Sequence, residues 1–338
     1  MRAGPLIGLI LAGLVVAALG IAGGGDAPSA NRAPFERAPG PLADRPTTAP
    51  AAGRDADPSA GRDADPAAER DADPVAGRSR GSLAELERTI VAKRGSARRA
   101  TVTIGRSAEG RAIRAVAING LSGGPPALVF GCIHGTECAG MRIARRIHAG
   151  RPPKGHGIVV VPDLNPDGLA LGSRLNARGV DLNRNFASHW RPIGVAGDPE
   201  HSGPRPFSEP ETRIARRLIR ALRPEVTIWF HQQAEPLVRA WGASVPAARR
   251  YARLAGARFV RLPWLHGTAP NWQNHRFVGT SSFVVELASG PVAPGTVRDH
   301  ARAATTLAGG LDAGGRSALR ADHLPGQTAA TGTPGGGE

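Results

Sequence analysis

The chain has 338 residues, a formal net charge of +15 and two cysteines, Cys132 and Cys138. Lys93 and Lys154 are its only lysines, so the basicity is arginine spread through every part of the sequence. A nucleic-acid reader concentrates charge on one element and interleaves aromatics, so this distribution argues against that class. It stays compatible with attraction to anionic surfaces such as a cell wall, and two thiols alone cannot build a structural zinc site.

The elements follow in chain order. Residues 1–25 place one arginine before an apolar run from Leu6 to Ala22, then small residues. The run is longer than a usual signal core and shorter than a comfortable span, so a cleaved signal peptide and a retained membrane anchor both fit. Either implies an exported protein, secreted or held on the outer face of the cytoplasmic membrane. No cysteine follows the run, which removes a lipoprotein anchor. Residues 26–80 are mostly Ala, Pro, Gly, Arg and Asp, with RDADP recurring at Arg54, Arg62 and Arg70. Such a stretch reads as a disordered linker that supplies reach.

A domain is expected over 81–312, with a flexible tail over 313–338. It opens with SLAELERTIVAKRG, where Ser82 is suited to an N-cap, Leu83, Leu86, Ile90 and Val91 share a face, and Gly95 stops the helix. ATVTIGRSAEGRAIRAVAING reads as two strands about the turn SAEGR. PPALVFGC is a short continuous apolar run, the signature of a buried central strand, and ECAGMRIARRIHAG after it has a helical period. GIVVVPDLNPDG is a second buried strand running into a loop, and SEPETRIARRLIRALRP a capped helix. EVTIWFHQQ is a third buried strand, ending at His231, and SSFVVELASG a fourth, carrying Glu286. Strands alternating with helices predict an α/β sheet.

His134, Asn165, His231 and Glu286 each sit at or just past the end of an apolar run, where open α/β sheets gather ligand sites. His134 and Glu137, three apart across a tight turn, can reach one metal ion, and His231 can complete the set. On those residues alone an ordinary strand-to-helix turn stays open, because a strand-end histidine usually just finds a hydrogen bond. The two cysteines flank the same turn, and a disulfide and two buried thiols are both compatible with the sequence. The segment LNPDGLALGSRLNARGVDLNRNFASHW weighs against the ordinary turn. It holds Asn165, Asp167, Arg174, Asn176, Asp181, Asn183, Arg184 and Asn185, more amides and guanidinium groups than a surface loop needs.

HGTE, NPDG, RLNARGVDLNRNF, GPRPFSEPET, FH and the late VVEL, in that order, resemble the zinc carboxypeptidase family, and within it the bacterial branch of murein peptide amidases. The resemblance runs from near Ile104 to Glu286. It implies a mixed twisted sheet with helices on both faces, and zinc bound by His134, Glu137 and His231. It further implies Glu286 as general base and Arg174 as the group that stabilises the oxyanion. Asn183 and Arg184 would hold the substrate's free carboxylate, and Asp181 would fix the tautomer of a zinc-bound histidine.

The implied substrate is a peptide, cleaved beside a residue with a free carboxylate and derived from peptidoglycan, and a monomer is expected. A general C-terminal carboxypeptidase and a zinc deacylase of N-acyl amino acids are the alternatives within the resemblance. A wall-binding module that has lost catalysis would lack a ligand or the base, and none is missing. Two departures stand out. Where the family places a tyrosine that closes over substrate, this chain has Pro263 and Trp264, which leaves the role vacant or to Trp264 or His266. After Glu286 the wall-peptide branch continues Leu or Phe then Pro, and here the sequence is LASG, so the pocket is expected to differ. Of the other histidines, His148, His156, His300 and His323 read as solvated, whereas His189, His201, His266 and His275 flank the motifs.

Overall fold

The structure, a computed structural model, describes residues 99–119, 125–151, 157–233, 235–262 and 265–309. The expected leader, linker, helix at Ser82 to Gly95 and tail all lie outside the described residues. Among the described residues, strands β1 (Arg99–Arg106), β2 (Ala112–Ile118), β3 (Ala127–Phe130), β4 (Ile158–Val161), β5 (Val226–Gln233), β6 (Leu237–Ala240), β7 (Arg258–Arg261) and β8 (Ser281–Ala288) form one sheet. Their order is β1-β2-β4-β3-β5-β8-β6-β7. The helices are α1 (Gly140–Ala149), α2 (Pro166–Leu171), α3 (Pro210–Leu222), α4 (Val245–Ala255), α5 (Ala269–Arg276) and α6 (Pro294–Gly309).

The four continuous apolar runs of the sequence are the four central strands β4, β3, β5 and β8, all parallel to one another. Every residue of β3 and β4 is buried, because strands covered on both faces have no side to leave polar. Antiparallel strands flank this centre, β2 against β4 and β6 against β8. At the outer edge β1 alternates buried and exposed residues, the pattern of a half-covered strand. The turn expected at SAEGR joins β1 to β2, where Gly110 takes a positive φ of 82°.

Helices cover both faces, as expected. On one face the apolar sides of α1, α4 and α6 pack on Val129, Ile228, Phe230 and Val285. On the other, α3 and α5 close over Leu128, Trp229 and Val284. Phe130 and Trp229 stack there with ring centroids 3.9 Å apart, and the Trp229 indole N–H donates to Ser282 Oγ at 3.0 Å. A polar handle of this kind is what lets a tryptophan sit fully buried.

One histidine departs from the sequence reading. His300 is buried rather than solvated, because α6 presents it to α4, where the Tyr251 hydroxyl lies 2.9 Å from its Nδ1. Burial pushes its pKa down to about 4 against the opposing charge of Asp299. His148 is exposed at the end of α1, as expected, while His156 and His323 lie outside the described residues.

Candidate metal centre

The carboxyl ends of the parallel strands carry the chemistry. The chain leaves β3 at Phe130 and makes the turn that holds His134 and Glu137 before α1 begins. This turn is bridged by a disulfide between Cys132 and Cys138, with Cα atoms 4.6 Å apart, so the pairing left open by the sequence is settled. Two glycines set its position. A Cβ on Gly135 would lie 2.0 Å from the backbone carbon of Gly168, so the ligand turn and the start of α2 dock main chain to main chain. The glycines of HGTE and NPDG meet at that seam. Asn165, from the same NPDG motif, caps α2 by accepting from Gly168 N at 2.9 Å.

Strand β5 delivers His231, and its parallel register with β8 pairs His231 with Glu286. Paired residues of adjacent strands point to the same face, so His231 and Glu286 stand side by side. The three ligand groups converge. His134 Nδ1 lies 3.0 Å from Glu137 Oε2, and His231 Nδ1 is 3.1 Å from the same oxygen and 3.2 Å from His134 Nδ1. One ligating atom from each of the three falls within 4.8 Å of the others. Two imidazole nitrogens and a carboxylate oxygen facing one point suit zinc. The opposite ring nitrogen supports the same reading, since His134 Nε2 sits 2.8 Å from Asp181 Oδ1. Asp181 fixes the proton on Nε2 and leaves the Nδ1 lone pair for the metal.

The electrostatics follow from this cluster. Burial works to raise the Glu137 carboxyl, but hydrogen bonds from His134 and His231 outweigh it and hold the group well below the usual carboxylate range. Asp181 is likewise held low, because the charges of His134, Arg174 and Arg184 and the hydrogen bond to His134 overcome complete burial. For His134 burial alone would lower the pKa, and Asp181 reverses it into a net rise.

Arg174 bridges the two carboxylates. Its Nη1 pairs with Glu137 Oε1 and its Nη2 with Asp181 Oδ2 at 3.2 Å. Asn183 and Arg184 lie on a short 3-10 turn, Leu182–Arg184, whose start is capped when Asp181 Oδ1 accepts from Asn183 N. The Arg184 guanidinium pairs with Glu200, an exposed partner.

His134, Glu137, Arg174, Asn183, Arg184, His231 and Glu286, all anticipated from sequence, line one cavity of about 220 Å3. Asp181 stands behind it. Glu286 makes no hydrogen bond or ion pair to any described residue and faces the cavity freely. Other polar residues of the rich segment are structural. Asp167 accepts from Ser107 Oγ at 2.7 Å and Glu109 N at 2.9 Å, tying α2 to the β1–β2 turn. Asn176 donates to Glu209, and Asn185 accepts from Glu209 N and Thr212 Oγ1, capping α3 from a distance.

Of the two residues considered for the tyrosine's place, Trp264 lies outside the described residues. His266 lies 2.9 Å from the backbone oxygen of His189 through its Nδ1 and does not line the cavity; Leu265 does. His189, His201 and His275 are also absent from the described lining. The sequence reading missed Arg239, Leu262, Thr268, Pro270 and Val284 in the wall. Only strand register could have placed Arg239 and Val284, and β6 is a four-residue strand with no turn signature of its own.

Comparison with known proteins agrees with the geometry. The profile of the zinc carboxypeptidase family matches residues 154–305. That span holds His231 and Glu286 but starts after His134 and Glu137, which the fold itself brings to the site. The chain is 32% identical over 103 residues to carboxypeptidase B of Astacus astacus, covering 25% of this chain and 34% of that protein. It is 41% identical over 83 residues to murein peptide amidase A of Escherichia coli strain K12, covering 21% and 34%. These alignments span about a third of each relative's length. Carboxypeptidase A from Helicoverpa armigera superposes with a TM-score of 0.51 at 18% identity, over 68% of this chain and 72% of that one, a likeness of fold. Profile over residues 154–305, fold and the three converging side chains agree in their similarity to the zinc carboxypeptidase family.

Proposed function

We propose that this protein is a zinc-dependent peptidase that hydrolyses a peptide or amide bond beside a residue with a free carboxylate, in peptides derived from the cell wall. One observation carries the chemistry: three metal-ligating groups, an unpaired carboxylate and an Asn–Arg pair line a single cavity. The choice of wall peptides is supported by the likeness to murein peptide amidase A and by the order of the motifs. Export, expected from the sequence of residues 1–25, would fit such a substrate.

His134, Glu137 and His231 would hold the zinc, which would supply Lewis acidity to the scissile carbonyl and to the attacking water. The Glu286 carboxylate takes a proton from that water and returns it to the leaving amine. Asn183 and Arg184 hold the free carboxylate, the guanidinium giving two parallel charge-assisted hydrogen bonds. Arg174 keeps its positive charge at any working pH and donates to the carbonyl oxygen as negative charge develops there. Asp181 keeps the His134 ring in one orientation throughout.

The test is a digest of purified stem peptides with products identified by mass, run on wild type and Glu286→Gln. Wild type is expected to release a fragment bearing a new free amine beside a carboxylate-bearing residue. The variant is expected to keep its zinc and lose at least about a hundredfold in rate. Cleavage of ordinary C-terminal residues instead would move the assignment to a general carboxypeptidase. Cleavage confined to N-acyl amino acids would make it a deacylase. Binding to peptidoglycan without hydrolysis of any of these would end the enzymatic reading.

A further inference from the structure

The cavity contains a third arginine that the chemistry above does not use. Arg239 lies on β6, which pairs antiparallel with β8 so that Leu237 stands opposite Glu286 and Arg239 opposite Val284. Alternation along both strands therefore puts Arg239, Val284, Glu286 and His231 on the same face of the sheet. Arg239 lines the same cavity as the metal ligands.

Its partners distinguish it. Arg174 is engaged by Glu137 and Asp181, and Arg184 by Glu200. Arg239 has no hydrogen bond or ion pair with any described residue, and its Nε is completely buried without an acceptor. A guanidinium cannot relieve that situation by losing its proton, as a lysine can. It needs an oxygen acceptor, and a carboxylate matches its planar fork with two hydrogen bonds. Its cross-strand partner Val284 is apolar, and Leu262, Leu265 and Pro270 line the same cavity. A short methylene stem ending in a carboxylate satisfies both surfaces together.

We infer that Arg239 is the specificity residue of this site and selects a substrate residue whose side chain ends in a carboxylate, in addition to the free carboxylate held by Asn183 and Arg184. The inference rests on the peptidase reading and narrows it. Two sources share this chemistry: a terminal glutamate, and a diaminopimelate residue of a stem peptide. A lysine end is rejected, because an ammonium would meet the fixed charge of Arg239.

The experiment compares kcat/KM for N-acyl dipeptides ending in glutamate, leucine and lysine and for a stem peptide ending in diaminopimelate. Wild type, Arg239→Met and Arg239→Lys are measured in parallel. Wild type is expected to favour glutamate over leucine and leucine over lysine. Arg239→Met is expected to lower the glutamate-to-leucine ratio by about tenfold or more, the scale of a lost charge-assisted hydrogen bond. Arg239→Lys, which keeps the charge and loses the fork, should fall between, and it stands in should the methionine variant fail to fold. A parallel fall on the diaminopimelate substrate identifies the stem peptide as the source, and a fall on glutamate alone identifies glutamate-ended peptides. Equilibrium binding of glycyl-glutamate and glycyl-leucine to Glu286→Gln, with and without Arg239→Met, reads the same preference without turnover. An unchanged glutamate-to-leucine ratio in both Arg239 variants overturns the inference and leaves the peptidase intact. A wild-type preference for lysine ends does the same. Failure of wild type to hydrolyse any of the four removes the peptidase reading and the inference with it.

Discussion

At the scale of single residues, the site is organised by what stands behind the ligands as much as by the ligands. Asp181 is fully buried, holds His134 Nε2, accepts from Asn183 N and meets Arg174, so one carboxylate orients three residues to which the proposal gives separate roles. Asp181→Asn keeps an oxygen toward His134 but removes the charge that makes the ring a strong donor. Zinc affinity, measured by competition with a chromophoric chelator, is expected to fall by about ten- to a hundredfold. An unchanged affinity would mean that ring orientation alone suffices. This is also the scale at which the sequence was most legible. His134, Glu137, His231 and Glu286 follow or end apolar runs, and an apolar run followed by a polar side chain is a local signal. Arg239 gave no such signal, because its meaning depends on β8, a strand more than forty residues away in the chain.

Between elements, the contact that fixes the metal turn is one of backbone on backbone. Since a Cβ at Gly135 would overlap the Gly168 carbonyl carbon, Gly135→Ala must push the turn away from α2. His134 and Glu137 flank that glycine, so the displacement passes directly into the ligand set. The variant is expected to keep its helix and strand content by circular dichroism and to purify with clearly less than one zinc per chain. Full zinc occupancy would show that the turn can yield elsewhere. The sequence contained both glycines inside recognisable motifs but could not reveal that they touch. It also left β6, β7, α2, α5 and α6 unread, since four-residue strands and the eight-residue α5 carry too little periodicity to rise above their surroundings. The longer α6 was missed because its inward side is chiefly small alanines, a faint apolar stripe.

For the molecule as a whole, stability is shared by two cores on opposite faces of the sheet, and one of them contains a titratable group. His300 is buried with its pKa lowered to about 4, while the unfolded chain would titrate it near 6.5. Protonation therefore favours the unfolded state. The stability contributed by the neutral ring is fully present above about pH 6.5 and is lost as pH falls toward 4. His300→Gln removes this term while leaving an acceptor for Tyr251. At pH 7.5 the variant is expected to be less stable by about 1 kcal/mol. Near pH 4.5 that deficit should close or reverse, since the wild type loses about 2 kcal/mol over this range. Urea unfolding at the two pH values checks it, and an equal deficit at both would place the protonated ring comfortably in the core. The α/β class and the four central strands were legible because parallel strands buried on both faces write continuous apolar runs. The order of the strands was not, because pairing is decided across the chain rather than along it.

The wall between β6 and β8 has a consequence for descent. His134, Glu137, Arg174 and Asp181 are tied to one another by shared hydrogen bonds and ion pairs, where almost any exchange disturbs its neighbours. Arg239, Leu262 and Val284 instead project from strand-borne or strand-adjacent positions whose backbone is already held by the sheet. On the proposed reading, a lineage can exchange those side chains one at a time, trading one diet of substrates for another, while the groups assigned to catalysis are inherited untouched.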